Sequence, residues 1–245
     1  MLSKTRIKYI QSLHHKKVRD EAGLFIAEGG KVVLELLQSK RFAVKELIAM
    51  EDWLQENESV IRKTYSGAFE TVTDIELERV SALATPNKVL AVFYKAIEKP
   101  LAVAGKISLL LDTIQDPGNF GTIIRIADWF GIDTILCSEG TTEVYNPKVV
   151  QSTMGSLARV NVYYADLQEI IQQNNKIKTY ATALDGKDIS TIKGIKEGFI
   201  IIGNESKGVS TALMELANEK ITIPKKGSAE SLNAAVAAGI ILSHL

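Results

Sequence analysis

Several short runs of this chain are apolar on both faces rather than on one, and that feature constrains the fold most. Ile107–Leu111, Thr134–Cys137 and residues 199–202 are near-continuous apolar runs. A strand with one wet face alternates polar and apolar residues, so runs like these mark strands covered on both sides. Between them lie segments with helical spacing. Ile123, Ile124, Ile126, Ala127 and Phe130 share one helical face that Gly131 ends. Asn146-Pro147 opens a second helix, and Leu167–Gln173 forms a third. Further strands are expected at 160–164, 178–184 and 221–223, with a last helix beginning at Ser231. Alternation of this kind predicts an α/β domain built on a mainly parallel sheet.

Residues 1–98 read as a smaller α/β layer domain. Ile7, Ile10 and Leu13 recur at helical spacing, residues 24–27 form a strand after Gly23, and Val32, Val33, Leu36 and Leu37 mark a helix face. Residues 44–50 and Val89–Tyr94 are strands, and Asp74 is placed to cap a helix carrying Ile75, Leu77, Val80 and Leu83. Residues 95–105 hold Pro100, Gly105 and mixed charge without periodicity, which reads as a linker. The expected domains are therefore 1–98 and 99–245.

Composition excludes several classes. Of the 245 residues, 46% are hydrophobic and 24% charged, the mix of a globular protein. The apolar stretch 234–242 is too short to span a bilayer. The charged N-terminus has no apolar core behind it, unlike a signal peptide. Cys137 is the only cysteine, sits in an apolar run and reads as a small core residue. It forms no internal disulfide, which fits a reducing, cytoplasmic location. The three histidines, His14, His15 and His244, make no ligand set, so no metal is expected. The 29 basic and 29 acidic residues cancel, which alone gives no support for nucleic-acid binding. Their distribution is uneven. Lys4, Arg6, Lys8, Lys16, Lys17 and Arg19 occupy the first nineteen positions without an acid among them. Such a cluster suits RNA phosphates, and equally a solvated helix face.

Three strand-to-loop transitions carry residues that need explaining, at strand ends where ligands bind in sheets of this type. In the first, Asp116-Pro117-Gly118-Asn119 makes a turn, Asn119 can cap the following helix, and Arg125 lies among isoleucines. An arginine in so apolar a segment calls for an anionic partner, either a structural carboxylate or a ligand. In the second, three isoleucines run into Gly203-Asn204-Glu205-Ser206-Lys207-Gly208. It is neither a Walker loop nor a dinucleotide fingerprint. In the third, Ile223-Pro224 leads through Lys225 and Lys226 to Ser231-Leu232-Asn233, followed by a helix of alanines. Ser231 and Asn233 suit helix capping as well as chemistry.

Taken in this order, the three loops resemble the three motifs of SpoU-type (TrmH-type) RNA methyltransferases of the SPOUT superfamily, over residues 107–245. Residues 16–37, with Gly23-Leu24-Phe25-Ile26-Ala27-Glu28-Gly29, resemble that family's ribosomal-protein-like substrate-binding domain. Two positions depart from the family pattern: Lys225 stands where methionine is frequent, and Ala235 where serine is common.

The resemblance implies a C-terminal domain with a deep trefoil knot, S-adenosylmethionine as methyl donor, a homodimer with its sites at the subunit interface, and a ribose 2′-hydroxyl of RNA, most of all ribosomal RNA, as acceptor. It implies Arg125, Asn119, Glu205, Ser231 and Asn233 as catalytic-site residues. Thr182, Ala183, Gly203, Ile223 and Leu232 would hold the cofactor. Lys4, Arg6, Lys16, Lys17 and Arg19 would contact RNA. Asn119 is expected to orient the ribose or Arg125, and Glu205 to hold Arg125 or RNA. The competing readings are a non-catalytic RNA-binding factor for ribosome assembly, a methyltransferase of tRNA, and a nucleotide-dependent oxidoreductase, the last disfavoured by the missing fingerprint.

Overall fold

The structure, a computed structural model, describes residues 2–245. In chain order the elements are α1 (Lys4–Ser12), α2 (Lys16–Ala22), β1 (Leu24–Glu28), α3 (Gly30–Ser39), β2 (Val44–Ala49), α4 (Glu51–Thr64), β3 (Phe69–Thr71), α5 (Asp74–Glu78) and β4 (Val89–Tyr94). Then follow β5 (Ile107–Leu111), α6 (Pro117–Trp129), β6 (Thr134–Cys137), α7 (Pro147–Ser152), β7 (Asn161–Tyr164), α8 (Leu167–Gln173), β8 (Thr179–Asp188), β9 (Gly198–Ile202), α9 (Thr211–Leu216), β10 (Glu219–Thr222) and α10 (Ala234–Leu242). They form two compact units. One is Met1–Ile97 with Glu143–Ala158, and the other is Glu98–Thr142 with Arg159–Leu245.

The first unit is built on a four-stranded sheet, β1-β4-β2-β3, in which only β2 and β3 are parallel. Side chains alternate across a strand, and β1 shows this directly. Leu24 and Ile26 join Leu90, Val92, Ile10 and Leu13 in one apolar cluster. Phe25 stacks on Phe93 at 5.5 Å and meets Tyr145 at 4.8 Å between ring centroids. The segment 143–158, which carries α7, therefore belongs to the core of this unit although it follows β6 in the chain. The helix expected after residue 73 is capped by Thr73 rather than Asp74. Its hydroxyl accepts from the Glu76 amide while Glu76 reaches back to the Thr73 amide, so two orphan donors are satisfied at once. Helix α4 is amphipathic and buries Trp53, Leu54 and Ile61.

The second unit holds a six-stranded sheet in the order β10-β8-β9-β5-β6-β7, and every neighbouring pair is parallel. The residues of β9, β5 and β6 are almost all buried, as their apolar runs require. The order of strands reverses between β9 and β5, so loops from several strands gather at one carboxyl edge. The last helix starts at Ala234, not at Ser231. Asn233 is its cap, accepting from the amides of Ala235 at 2.9 Å and Val236 at 3.2 Å. Helix α6 is likewise capped by Asp116, which accepts from the Asn119 amide at 2.7 Å, with Pro117 in the first turn. The Asn119 side chain is thereby left for other work.

Candidate active site

A chain of side-chain hydrogen bonds ties the three loops together at this carboxyl edge. Asn119 Nδ2 donates to Glu205 Oε1 at 3.0 Å, and Asn233 Nδ2 donates to Asn119 Oδ1 at 2.7 Å. The amides of Gln115 and Asp116 reach the two Glu205 oxygens at 3.5 and 3.4 Å. The loop after β9 is held in its own shape. Asn204 Oδ1 accepts from the amides of Ser206 and Lys207, its Nδ2 donates to the Thr113 carbonyl at 2.7 Å, and Asn204 and Gly208 exchange backbone hydrogen bonds. Gly203 is required here by close approach. A Cβ on it would lie 2.2 Å from the Gly208 carbonyl carbon and the Val209 nitrogen. The loop can turn back on its strand only if this residue has no side chain.

Arg125 stands apart from this network. It is exposed on α6, on the same helical face as Thr122 and Trp129, and makes no hydrogen bond or ion pair among the described residues. Of the two partners expected for Arg125, a structural carboxylate is therefore absent among the described residues. Ile123 and Ile124 point into the core and Arg125 points to water, as the helical repeat dictates. Glu205 does not hold Arg125. It is occupied by Asn119 and the backbone of the preceding loop. Ser231 is exposed beside the cap and enters no hydrogen bond among the described residues.

Of the residues expected to hold the cofactor, Gly203 and Ile223 follow the carboxyl ends of β9 and β10, Thr182 and Ala183 lie within β8 between those strands, and Leu232 lies in the loop before α10. The pairing of β10 with β8 jumps from Lys220–Ala181 to Ile221–Lys187, which leaves residues 182–186 as an insert of five without a ladder partner. Thr182 and Ala183 begin that insert. Gly186 closes it, since a Cβ there would meet the Ile221 backbone at 2.6 Å. Gly203 ends β9 and Ile223 follows β10, both on the same side of the sheet. Leu184 is 80% exposed and Leu232 48% exposed. Peptide groups without ladder partners beside exposed apolar side chains suit the edge of an adenine ring and a thioether, so these residues fit S-adenosylmethionine. A polar cleft of about 290 Å3 lies beyond the carboxyl ends of β5, β6 and β7, lined by Asp112, Ser138, Asp166 and Ser210 among others. Asp112 is buried there, accepting from the Ser210 amide at 2.7 Å and the Thr113 hydroxyl at 3.1 Å. Asp112, Asp116 and Asn204 shape the site loops, and sequence reasoning gave them no role of their own. Among the described residues no group of His, Cys, Asp and Glu is arranged to hold a metal ion.

The basic N-terminal residues divide. Lys4 and Lys16 are exposed without ion-pair partners among the described residues, and Lys17 faces Glu21 at 3.9 Å in solvent. Arg6 is held by Glu46 and Glu70. Arg19 is a correction. It is 2% exposed, pairs with Glu143, and donates to the Leu13 and His14 carbonyls at 3.0 and 2.8 Å. A guanidinium enclosed in this way serves the core of the first unit and offers nothing to a phosphate.

Comparison with known proteins identifies the family. Residues 106–243 match the SpoU rRNA Methylase family and residues 4–91 match an MRM3-like substrate binding domain. The chain belongs to the SpoU family of S-adenosylmethionine-dependent RNA methyltransferases. It is 35% identical to the Bacillus subtilis 23S rRNA (guanosine(2553)-2′-O)-methyltransferase RlmP, across 98% of this chain and 95% of that protein. Among solved structures it resembles the AdoMet-bound rRNA methyltransferase of Sinorhizobium meliloti, with a TM-score of 0.87 and 30% identity, covering 100% of this chain and 95% of that one. The SpoU methyltransferase AviRb of Streptomyces viridochromogenes, solved with AdoMet, gives a TM-score of 0.82 at 25% identity, covering 99% and 97%.

Proposed function

We propose that this protein transfers the methyl group of S-adenosylmethionine to a ribose 2′-hydroxyl of ribosomal RNA. The observation that carries the proposal is the hydrogen-bonded union of Asn119, Glu205 and Asn233, which draws three distant loops to one sheet edge. Likeness to RlmP over nearly the whole chain favours 23S rRNA over tRNA. When bound at residues 182–186, Gly203, Ile223 and Leu232, the cofactor supplies an electrophilic methyl group on a sulfonium. The protein's own contribution is placement, worth about 7–11 kcal/mol in well-oriented systems. Asn119 and Asn233 lock each other's amides and fix where the ribose can lie. Ser231, beside them, supplies a hydroxyl to the same rim. Glu205 anchors the first loop. A guanidinium with a pKa above about 12 is a poor base. Arg125 instead binds the phosphate next to the target ribose and stabilises charge developing on its oxygen.

Arg125 acts, on this reading, within a homodimer. Trp129 is 84% exposed on the same face of α6, and Val236 is 51% exposed on α10, which packs against α6. Large exposed apolar side chains on paired helices suit a subunit interface. The family's knotted course of residues 182–232 and a cytoplasmic location belong to the same proposal, as do Lys4, Lys16 and Lys17 as outer RNA contacts. Arg6 contributes only if RNA displaces one of its two carboxylates.

Incubation with S-adenosylmethionine tritiated on its methyl group tests the reading. Label is expected in 23S rRNA. Cofactor binding without transfer to any RNA would leave a non-catalytic RNA-binding factor, and label in tRNA alone would refute the substrate.

A further inference from the structure

Helix α3 begins without a side-chain cap. Its N-cap residue is Gly29, at φ +83°, and the amides of Gly30, Lys31 and Val32 find no acceptor among the described residues. The first turn holds no acid, although the positive end of a helix dipole favours one. It carries Lys31 instead, exposed and without an ion-pair partner among the described residues. A cation there is electrostatically misplaced unless an anion joins it.

A helix end by itself is no site, but Trp53 of α4 faces this one. Trp53 is 4% exposed, and its indole N–H donates to no acceptor among the described residues. The ring is enclosed but its N–H is not fully buried, so an incoming acceptor can reach it at the helix terminus. Nε1 lies 2.7 Å from where a Cβ on Gly30 would stand, so the missing side chain is what lets the indole reach the helix terminus. Asn87 Nδ2 and Gln151 Nε2 lie 3.8 and 3.9 Å from the corresponding position on Gly29. All of these residues belong to the first unit. Asp52, the acid beside Trp53 in the chain, is held by Lys88 at 2.7 Å. The place therefore gathers backbone amides, an indole, two carboxamides and an ammonium group, with donors outnumbering acceptors.

We propose that the first turn of α3, with Lys31, Trp53, Asn87 and Gln151, binds a phosphodiester of the RNA substrate. This rests on the RNA methyltransferase reading above. A phosphodiester offers only acceptors and carries a negative charge, which complements a donor-rich helix terminus. Gln151 comes from the α7 segment, so the phosphate site joins two stretches of chain far apart in sequence.

The chain has two tryptophans, Trp53 and Trp129, so an amide-type spectrum of the 15N-labelled protein shows two indole signals, assigned with Trp53→Phe. Addition of a 23S rRNA fragment spanning the equivalent of guanosine 2553 is expected to shift the Trp53 indole signal and slow its exchange with water. Inorganic phosphate at equal phosphate concentration is expected to leave it in place. Trp53→Phe should weaken RNA binding about tenfold with cofactor affinity unchanged. Lys31→Gln, at an exposed position, should lower the salt slope of binding by about one. An unmoved Trp53 signal at saturating RNA, no RNA binding by the wild type, or an equal response to inorganic phosphate would overturn the proposal. Methyl transfer is followed separately: its absence from a wild type that still binds RNA and shifts Trp53 defeats the enzymatic reading and leaves the phosphate site standing.

Discussion

Replacing Asn233 by alanine removes two different things. The side chain caps α10 through the amides of Ala235 and Val236, and its Nδ2 holds Asn119 Oδ1 at 2.7 Å. A lost cap costs about 1 kcal/mol and a lost neutral hydrogen bond about 1 kcal/mol more. For a chain of this size, about 2–4 °C of Tm accompanies each kcal/mol, so Asn233→Ala should melt about 4–8 °C lower. Asn233→Asp separates the two roles. Aspartate caps as well as asparagine, and its charge is favoured at a helix N-terminus by about 0.5 kcal/mol. It cannot donate, however, so two oxygens would oppose each other where Asn233 meets Asn119. The aspartate variant should melt within about 2 °C of wild type yet lose at least about tenfold in kcat/KM, the equivalent of one hydrogen bond. Differential scanning fluorimetry and steady-state methyl transfer read the two effects. An aspartate variant with wild-type kcat/KM would refute the positioning role, and an alanine variant with unchanged Tm would refute the cap.

Three other outcomes follow from the same geometry. Arg125→Ala removes an exposed, unpaired side chain, so stability should change by less than about 0.5 kcal/mol while kcat/KM falls at least about 100-fold; turnover equal to wild type would remove Arg125 from the reaction. Arg19→Met leaves Glu143 buried with Lys95 at 3.4 Å as its remaining cation among the described residues, and urea unfolding should show a loss of about 3 kcal/mol, a loss under about 1 kcal/mol contradicting a structural role. Burial pushes the Cys137 thiol well up from its usual value, so it stays protonated at pH 8 and should resist Ellman's reagent until the protein is unfolded; rapid labelling of the native protein would show that the β6 end opens.

The parts of the fold that were legible are those decided locally. The apolar runs of β5, β6 and β9 announced strands covered on both faces, and the parallel sheet followed from their alternation with helices. The start of α10 was misplaced because Ser231 and Asn233 both cap well. The choice between them is made by Asn119, 114 positions away. The same holds for α6, where Asp116 and Asn119 compete and the distant Glu205 engages Asn119. The basic N-terminal cluster was visible as charge, but the burial of Arg19 depends on Glu143, 124 positions later. Nothing local in 143–158 foretells that Tyr145 packs on Phe25. Helix α4 was within reach of sequence reading, with acids in its first turn, Arg62 and Lys63 in its last, and Trp53, Leu54 and Ile61 on one face.

Mapping ribose methylation of 23S rRNA from cells with and without this gene bears most directly on the account. One 2′-O-methyl mark should vanish on deletion, return with the wild-type gene, and stay absent with Arg125→Ala. An unchanged set of ribose marks, or loss of a methyl group from a base instead, would contradict it.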